Sequence, residues 1–157
     1  MRLKLIVVGT TKERALQQLM DDYQHRIRQR IPFSVEVIPD APHRLTGGNE
    51  AKVKAWEAER ILNRLTTDDK PLLLDENGKT YTSRQLSDLL ATQLASSVKC
   101  WTWIVGGAFG FDERVYQAVP ERLSLSKLTF THQMVRLIAM EQMYRAITIV
   151  EHLPYHH

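Results

Sequence analysis

Apolar residues along this chain fall alternately into short unbroken runs and into helical spacings. The opening Leu3-Lys4-Leu5-Ile6-Val7-Val8, rich in β-branched residues and stopped at Gly9-Thr10, predicts a strand. From Glu13 to Arg28 the positions Ala15, Leu16, Leu19, Met20 and Tyr23 recur at helical spacing, with charged residues between them. Ser34 to Pro39 alternates as a half-buried strand, with Val35 and Val37 on one face and Glu36 and Ile38 on the other. Asp40 to Asn49, with Pro42 and two glycines, predicts a surface loop. A second helix is expected over Glu50 to Leu65, with Val53, Trp56, Ala58, Ile61, Leu62 and Leu65 inward.

The second half repeats the alternation. Pro71 to Asp75 predicts a buried strand, and Glu76-Asn77-Gly78-Lys79 a turn. Thr82 and Gln85 have capping-box spacing ahead of a helix whose inner face carries Leu86, Leu89, Leu90 and Leu94. Trp101 to Val105 is expected as another strand, Gly106 to Gly110 as a turn, and Asp112 to Val119 as a short helix halted by Pro120. Leu123 to Leu125 reads as a last short strand, and His132 to about His152 as one long helix. Strands alternating with helices predict an α/β domain, a largely parallel sheet with helices on both faces. In such sheets ligands bind beyond the carboxyl ends of the strands, so the turns after Leu74, Val105 and Leu125 are where a site is expected.

The 157 residues make one ordinary domain, residues 1–157, and the 43% hydrophobic and 25% charged composition excludes a disordered chain. Leu5 to Val8 is too short for a signal-peptide core and no run reaches the ~18 residues of a membrane span, so a cytoplasmic protein off the membrane is expected. Cys100 is the only cysteine, which removes internal disulfides and cysteine-rich zinc sites. Net charge is only +3, but it is unevenly spread. Residues 1–30 hold seven Lys or Arg against three acids, residues 31–121 ten against thirteen, and residues 122–157 four against two. A polyanionic partner would therefore meet the two basic ends of the chain.

Three features carry candidate chemistry. The Gly106-Gly107-Ala108-Phe109-Gly110 turn admits close backbone approach of a ligand, although glycines after a strand are often only a turn. It has neither the Walker Gly-Lys-Ser/Thr nor the dinucleotide fingerprint order. On the C-terminal helix, Glu141, Arg145, Thr148 and His152 fall within an arc of about 60° on an otherwise apolar surface. So much apolar surface in a short chain predicts a homodimer, with Glu141 and Arg145 either pairing in the interface or leaving the arginine for a phosphate. The tail Leu153-Pro154-Tyr155-His156-His157 offers a stacking ring and groups that titrate near neutral pH. Its adjacent histidines lack the companions of a metal site, so no metal is expected.

An ordered set of segments resembles the RlmH family. These are Val8-Gly9; Leu72-Leu73-Leu74-Asp75 with Gly78-Lys79; Ile104-Val105-Gly106-Gly107 with Gly110; Leu123 to Arg136, containing Ser124-Leu125-Ser126-Lys127-Leu128-Thr129-Phe130; Glu141 to Ala146; and Tyr155-His156. The family comprises small SPOUT-class methyltransferases that modify a pseudouridine in bacterial large-subunit ribosomal RNA. The resemblance spans the whole chain. It implies a SPOUT-type sheet with a C-terminal trefoil knot, and S-adenosylmethionine as donor of a methyl group to N3 of a pseudouridine in 23S rRNA. It further implies a homodimer with composite sites, acting on the large subunit or whole ribosome.

Carried over position by position, the cofactor pocket comprises Leu74, Gly106, Gly107 and the segment Leu125, Ser126, Lys127, Leu128, Thr129 and Phe130. The resemblance assigns RNA contact and catalysis to His132, Arg145, Tyr155 and His156, with no residue identified as the general base. Where the family's tail usually ends in arginine or lysine, this chain has His157. Two other readings fit the residues: a nucleotide-binding oxidoreductase or phosphate-binding domain using the glycine turn, and a non-catalytic module that docks on the ribosome.

Overall fold

A computed structural model describes residues 1–155, so His156 and His157 lie outside the described residues. Five strands form one sheet: β1 (Arg2–Val8), β2 (Phe33–Ile38), β3 (Asp69–Thr80), β4 (Cys100–Val105) and β5 (Arg122–Ser124). Their order is β2-β1-β4-β3-β5 and every pairing between them is parallel. Among the described residues six helices connect or follow them: α1 (Arg14–Arg28), α2 (His43–Thr46), α3 (Glu50–Asn63), α4 (Ser83–Ala95), α5 (Glu113–Ala118) and α6 (Met134–Val150). This is the α/β arrangement that the alternation of elements predicts.

Because side chains alternate across a strand, β1, β2, β3 and β4 each serve two cores. Leu3, Leu5 and Val7 of β1, Leu72 and Leu74 of β3, and Trp101, Trp103 and Val105 of β4 face α1, α4 and α6. Ile6, Val8, Leu73 and Ile104 face the other way, onto Ala58 and Ile61 of α3 and Val115 of α5. Helices therefore cover both faces. α4 begins with a complete capping box: the Thr82 hydroxyl accepts from the Gln85 amide at 3.2 Å while the Gln85 side chain accepts from the Thr82 amide at 2.9 Å.

Several boundaries differ from those read in the pattern. Glu76 to Lys79 does not end a strand; β3 continues to Thr80, with Leu74 and Lys79 both opposite Leu123 and the four residues between them looped out. Gly78 permits this, since a Cβ there would lie 2.6–2.8 Å from the backbone of Arg122 and Leu123. Val37 is 44% exposed although it alternates as the sequence predicts, because β2 is the edge strand. The 40–49 loop contains the one-turn α2, closed by Gly47 in the left-handed region. β5 ends at Ser124 rather than Leu125, and α6 starts at Met134 and ends at Val150. His152, with φ of 55°, is beyond the helix and off its polar stripe.

Candidate active site

The carboxyl ends of β4 and β5 and the looped-out segment within β3 open onto a cavity of about 710 Å³. Three bends form its wall: Leu74 to Asn77, Val105 to Phe111, and Leu123 to Thr131 apart from Lys127, with His132 and Val135 beyond the third. Each bend has a local cause. Asp75 Oδ1 accepts from the Asn77 amide at 2.8 Å and so turns the first, and its other oxygen accepts from the Tyr116 hydroxyl at 2.6 Å. The second is closed by a 3.2 Å bond from the Gly110 amide to the Gly107 carbonyl, with Gly110 at φ of 74°, a conformation that suits glycine. In the third, Ser124 Oγ donates to the Ser126 carbonyl at 2.8 Å and Ser126 Oγ accepts from the Leu128 amide at 2.9 Å. Thr129 Oγ1 donates to Glu76 Oε2 at 3.3 Å and joins the third bend to the first.

Buried polar groups support the cavity from behind. Arg136 on α6 is fully buried; its guanidinium donates to the carbonyls of Val8 and Gly9 and to the Thr11 hydroxyl, capping the end of β1. Burial lowers its pKa, opposed by the charge of Asp40. Burial also lowers the pKa of His132, helped by the positive charge of Arg136. Glu57 on α3 stands against Gly107, with its carboxyl pushed up to about 7 by burial and then by the nearby Asp40.

A second cluster lies further along α6. Glu141 Oε1 accepts from Arg145 Nε at 3.0 Å and from the Tyr155 hydroxyl at 3.3 Å. The Arg145 guanidinium stands over the Tyr155 ring, 5.0 Å from its centroid, and Tyr144 meets the same ring edge-on at 4.9 Å. The hydrogen bond to Glu141 raises the Arg145 pKa, so the guanidinium stays charged. Burial, then the bond to Tyr23, raises that of the Tyr155 phenol.

The family model described as "Predicted SPOUT methyltransferase" matches residues 1–156. The chain belongs to this SPOUT methyltransferase family. Proteins named ribosomal RNA large subunit methyltransferase H are similar to it throughout. That of Parabacteroides distasonis is 45% identical and that of Flavobacterium johnsoniae 43%, each alignment covering all of this chain and 99% of the relative. That of Porphyromonas gingivalis is 40% identical over the same spans.

In this SPOUT methyltransferase, Leu74, Gly106, Gly107, Leu125, Ser126, Leu128, Thr129 and Phe130 all line the cavity, whereas Lys127 of the same expected set does not. Of the residues expected to contact RNA, His132 lines the cavity while Arg145 and Tyr155 sit together in the α6 cluster. The expected role of His156 lies outside the described residues. Val135 at the cavity and Arg145 are ten positions apart on α6, about 15 Å along the helix. Sequence patterns passed over Glu57, Arg136 and Tyr116. Charged residues within helical spacing read as solvated positions, and only the packing of α3 and α6 on the strand ends makes Glu57 and Arg136 interior. Among the described residues, no group of three or more His, Cys, Asp or Glu is placed to hold a metal, and no helix is long and apolar enough to cross a membrane.

Proposed function

We propose that this SPOUT methyltransferase transfers a methyl group from S-adenosylmethionine to N3 of a pseudouridine in 23S ribosomal RNA. It does so in the cytoplasm, as a homodimer on the large subunit or whole ribosome. The observation that carries this reading is the cavity walled by three bends of the sheet's strands. Its volume lies within the usual range for a cofactor site, ~300–1,000 Å³. Leu74, Val105, Leu125 and Phe130 offer an apolar slot for an adenine, and backbone amides and carbonyls of the bends are at hand for its polar edge. The residues fit that group. Glycines at 106 and 107 leave the wall without side chains, and a Cβ at either position would already contact Phe111 or Glu57. The C-terminal trefoil knot implied by the resemblance belongs to this reading, within a single catalytic domain over residues 1–157.

The sulfonium of S-adenosylmethionine supplies an electrophilic methyl group, so the protein's task is alignment, exclusion of water and control of charge on the base. Leu74, Leu125 and Phe130 exclude water. Arg145, held charged by Glu141, stabilises the anion that develops as the pseudouridine N3 loses its proton, and the Tyr155 ring keeps the guanidinium in place. His132 at the cavity and His156 in the tail supply further RNA contacts, and Lys127, outside the cavity wall, is free to meet phosphate. The ~15 Å between the cavity and the Arg145 cluster along one helix favours a composite site, in which the tail and α6 cluster of one subunit serve the cavity of the other. The relatives' name, ribosomal RNA large subunit methyltransferase H, supports the substrate class.

The test is transfer of labelled methyl from S-adenosylmethionine to ribosomes of a strain lacking the enzyme, with the modified base located by mass spectrometry. Incorporation at a pseudouridine of 23S rRNA is expected. Ribosome binding without incorporation would leave a non-catalytic module. Calorimetric binding of NAD or ATP with none of S-adenosylhomocysteine would favour a nucleotide-dependent enzyme instead.

A further inference from the structure

The cavity wall at Gly106-Gly107 is backed by a carboxylate that the reaction itself does not need. Glu57 projects from the middle of α3 and is 6% exposed, a rare environment for a glutamate. A Cβ built on Gly107 would lie 2.5 and 2.6 Å from its two carboxylate oxygens and 2.8 Å from Cδ. The carboxylate therefore occupies the volume that a side chain at residue 107 would fill. The carboxylate thus packs directly behind residue 107, while the Gly107 carbonyl accepts from the Gly110 amide on the other side of the turn. Residue 107 thus lies between this carboxylate and the bond that closes its own turn.

We propose that Glu57 is a positioning residue: its ionised carboxylate anchors the Gly107 amide from behind and sets the shape of the cavity wall against which the cofactor binds. This rests on the reading of the cavity as an S-adenosylmethionine pocket. A glutamate buried merely as filler would be better replaced by an apolar residue, because burying a charge is costly unless it is hydrogen-bonded. The cost is visible in the carboxyl itself. Burial, then the negative charge of Asp40, pushes it up to about 7, and the Gly107 amide works in the opposite sense by favouring the ionised form. The anchor consequently loosens as Glu57 takes up a proton just below neutral pH.

Charged groups around α3 have other partners. Lys54 pairs with Glu50, Arg60 with Glu59, Arg64 with Glu36, and Arg114 of α5 with Asp112. His43 and Arg44 lie on α2, which also packs on α3. His132 lines the same cavity and titrates below its ordinary value, so it is the group whose pH dependence must be separated from that of Glu57.

The experiment follows the Gly107 amide and the Glu57 carboxyl by NMR in the cofactor-free protein between pH 5.5 and 8.5, beside calorimetry of S-adenosylhomocysteine at pH 6 and pH 8. Both signals are expected to titrate together near pH 7 in the unmodified protein. S-adenosylhomocysteine affinity should fall up to about tenfold on going from pH 8 to pH 6, the scale of exchanging a charge-assisted for a neutral hydrogen bond. In Glu57→Gln the Gly107 signal should be flat, and any pH dependence of affinity that persists belongs to His132. A Gly107 amide that ignores pH, or one that titrates unchanged in Glu57→Gln, overturns the proposal. If Glu57→Gln does not fold, separate midpoints for the two signals in the unmodified protein overturn it equally. Absence of S-adenosylhomocysteine binding at either pH refutes the pocket reading and the positioning role with it, and the Gly107 titration then reports whether the anchor itself exists.

Discussion

The hydroxyls of Tyr23 and Tyr155 lie 3.1 Å apart, joining the first helix to the tail across 132 positions of sequence. Arg26 of the same helix stands over the rings of Tyr23 and Tyr144, so Tyr155 rests on a surface of tyrosines and arginines. Tyr23→Phe removes one hydrogen bond, worth about 0.5–1.5 kcal/mol. It should lower ribosome methylation roughly two- to tenfold with S-adenosylhomocysteine affinity unchanged, as read by methyl incorporation and calorimetry. Deleting Tyr155 to His157 should cut methylation further and again spare cofactor binding.

The separation of cavity and Arg145 cluster predicts complementation between damaged subunits. Gly106→Val spoils the cavity of its own chain and tail deletion spoils the cluster of its own. A heterodimer of the two keeps one intact cavity and one intact tail on different subunits. Co-purified heterodimers should regain methylation that neither homodimer has. Continued inactivity would place the tail and cavity that work together on one chain.

Gly106→Val has a structural consequence beyond the pocket. A Cβ at residue 106 would lie 3.1–3.3 Å from the Phe111 ring, which itself lines the cavity and packs in the α3 and α5 core. The larger valine should displace Phe111, abolish S-adenosylhomocysteine binding and cost about 1–3 kcal/mol in urea denaturation. Gly106→Ala should be milder in both measurements.

Arg136 is fully buried and caps the carbonyls of Val8 and Gly9. Arg136→Met leaves those acceptors without their donor and should destabilise the fold by about 2–4 kcal/mol. Arg136→Lys should recover little, because a single ammonium cannot reproduce a planar fork that bonds two carbonyls at once.

Stability should respond to pH in opposite senses at the two ends of the sheet. At the amino ends, burial would raise the Asp69 pKa, but Lys4 at 2.8 Å and the Thr102 hydroxyl hold it well below the ordinary 3.8. That contribution is present above pH 3.8 and lost as acid protonates the folded carboxylate, so Asp69→Asn should flatten the acid limb of a denaturation series. Glu57 is shifted upward, from 4.5 to about 7. Its neutral form favours folding below pH 4.5, and that stability drains away as pH rises through 7. Glu57→Gln should therefore gain relative stability at pH 8 over pH 5, by about 3 kcal/mol at most.

Alternation of apolar runs with helical spacings determined the parallel sheet and its two helical layers, because period and burial are local properties of a strand or helix. The turns after Leu74, Val105 and Leu125 could likewise be located from sequence, since glycine and serine mark places where the backbone must bend or approach closely. What only the tertiary structure decided were the relations between segments far apart in the chain. Asn77-Gly78 carries a turn signal, yet β3 runs on because Gly78 lets the backbone of β5 come against it. Glu57 and Arg136 look like surface charges in their helices, and they become buried supports only where α3 and α6 close over the ends of β4 and β1. Periodicity assigns a side chain to one face of its own helix; which strand end and which opposing charge that face meets depends on how the layers dock.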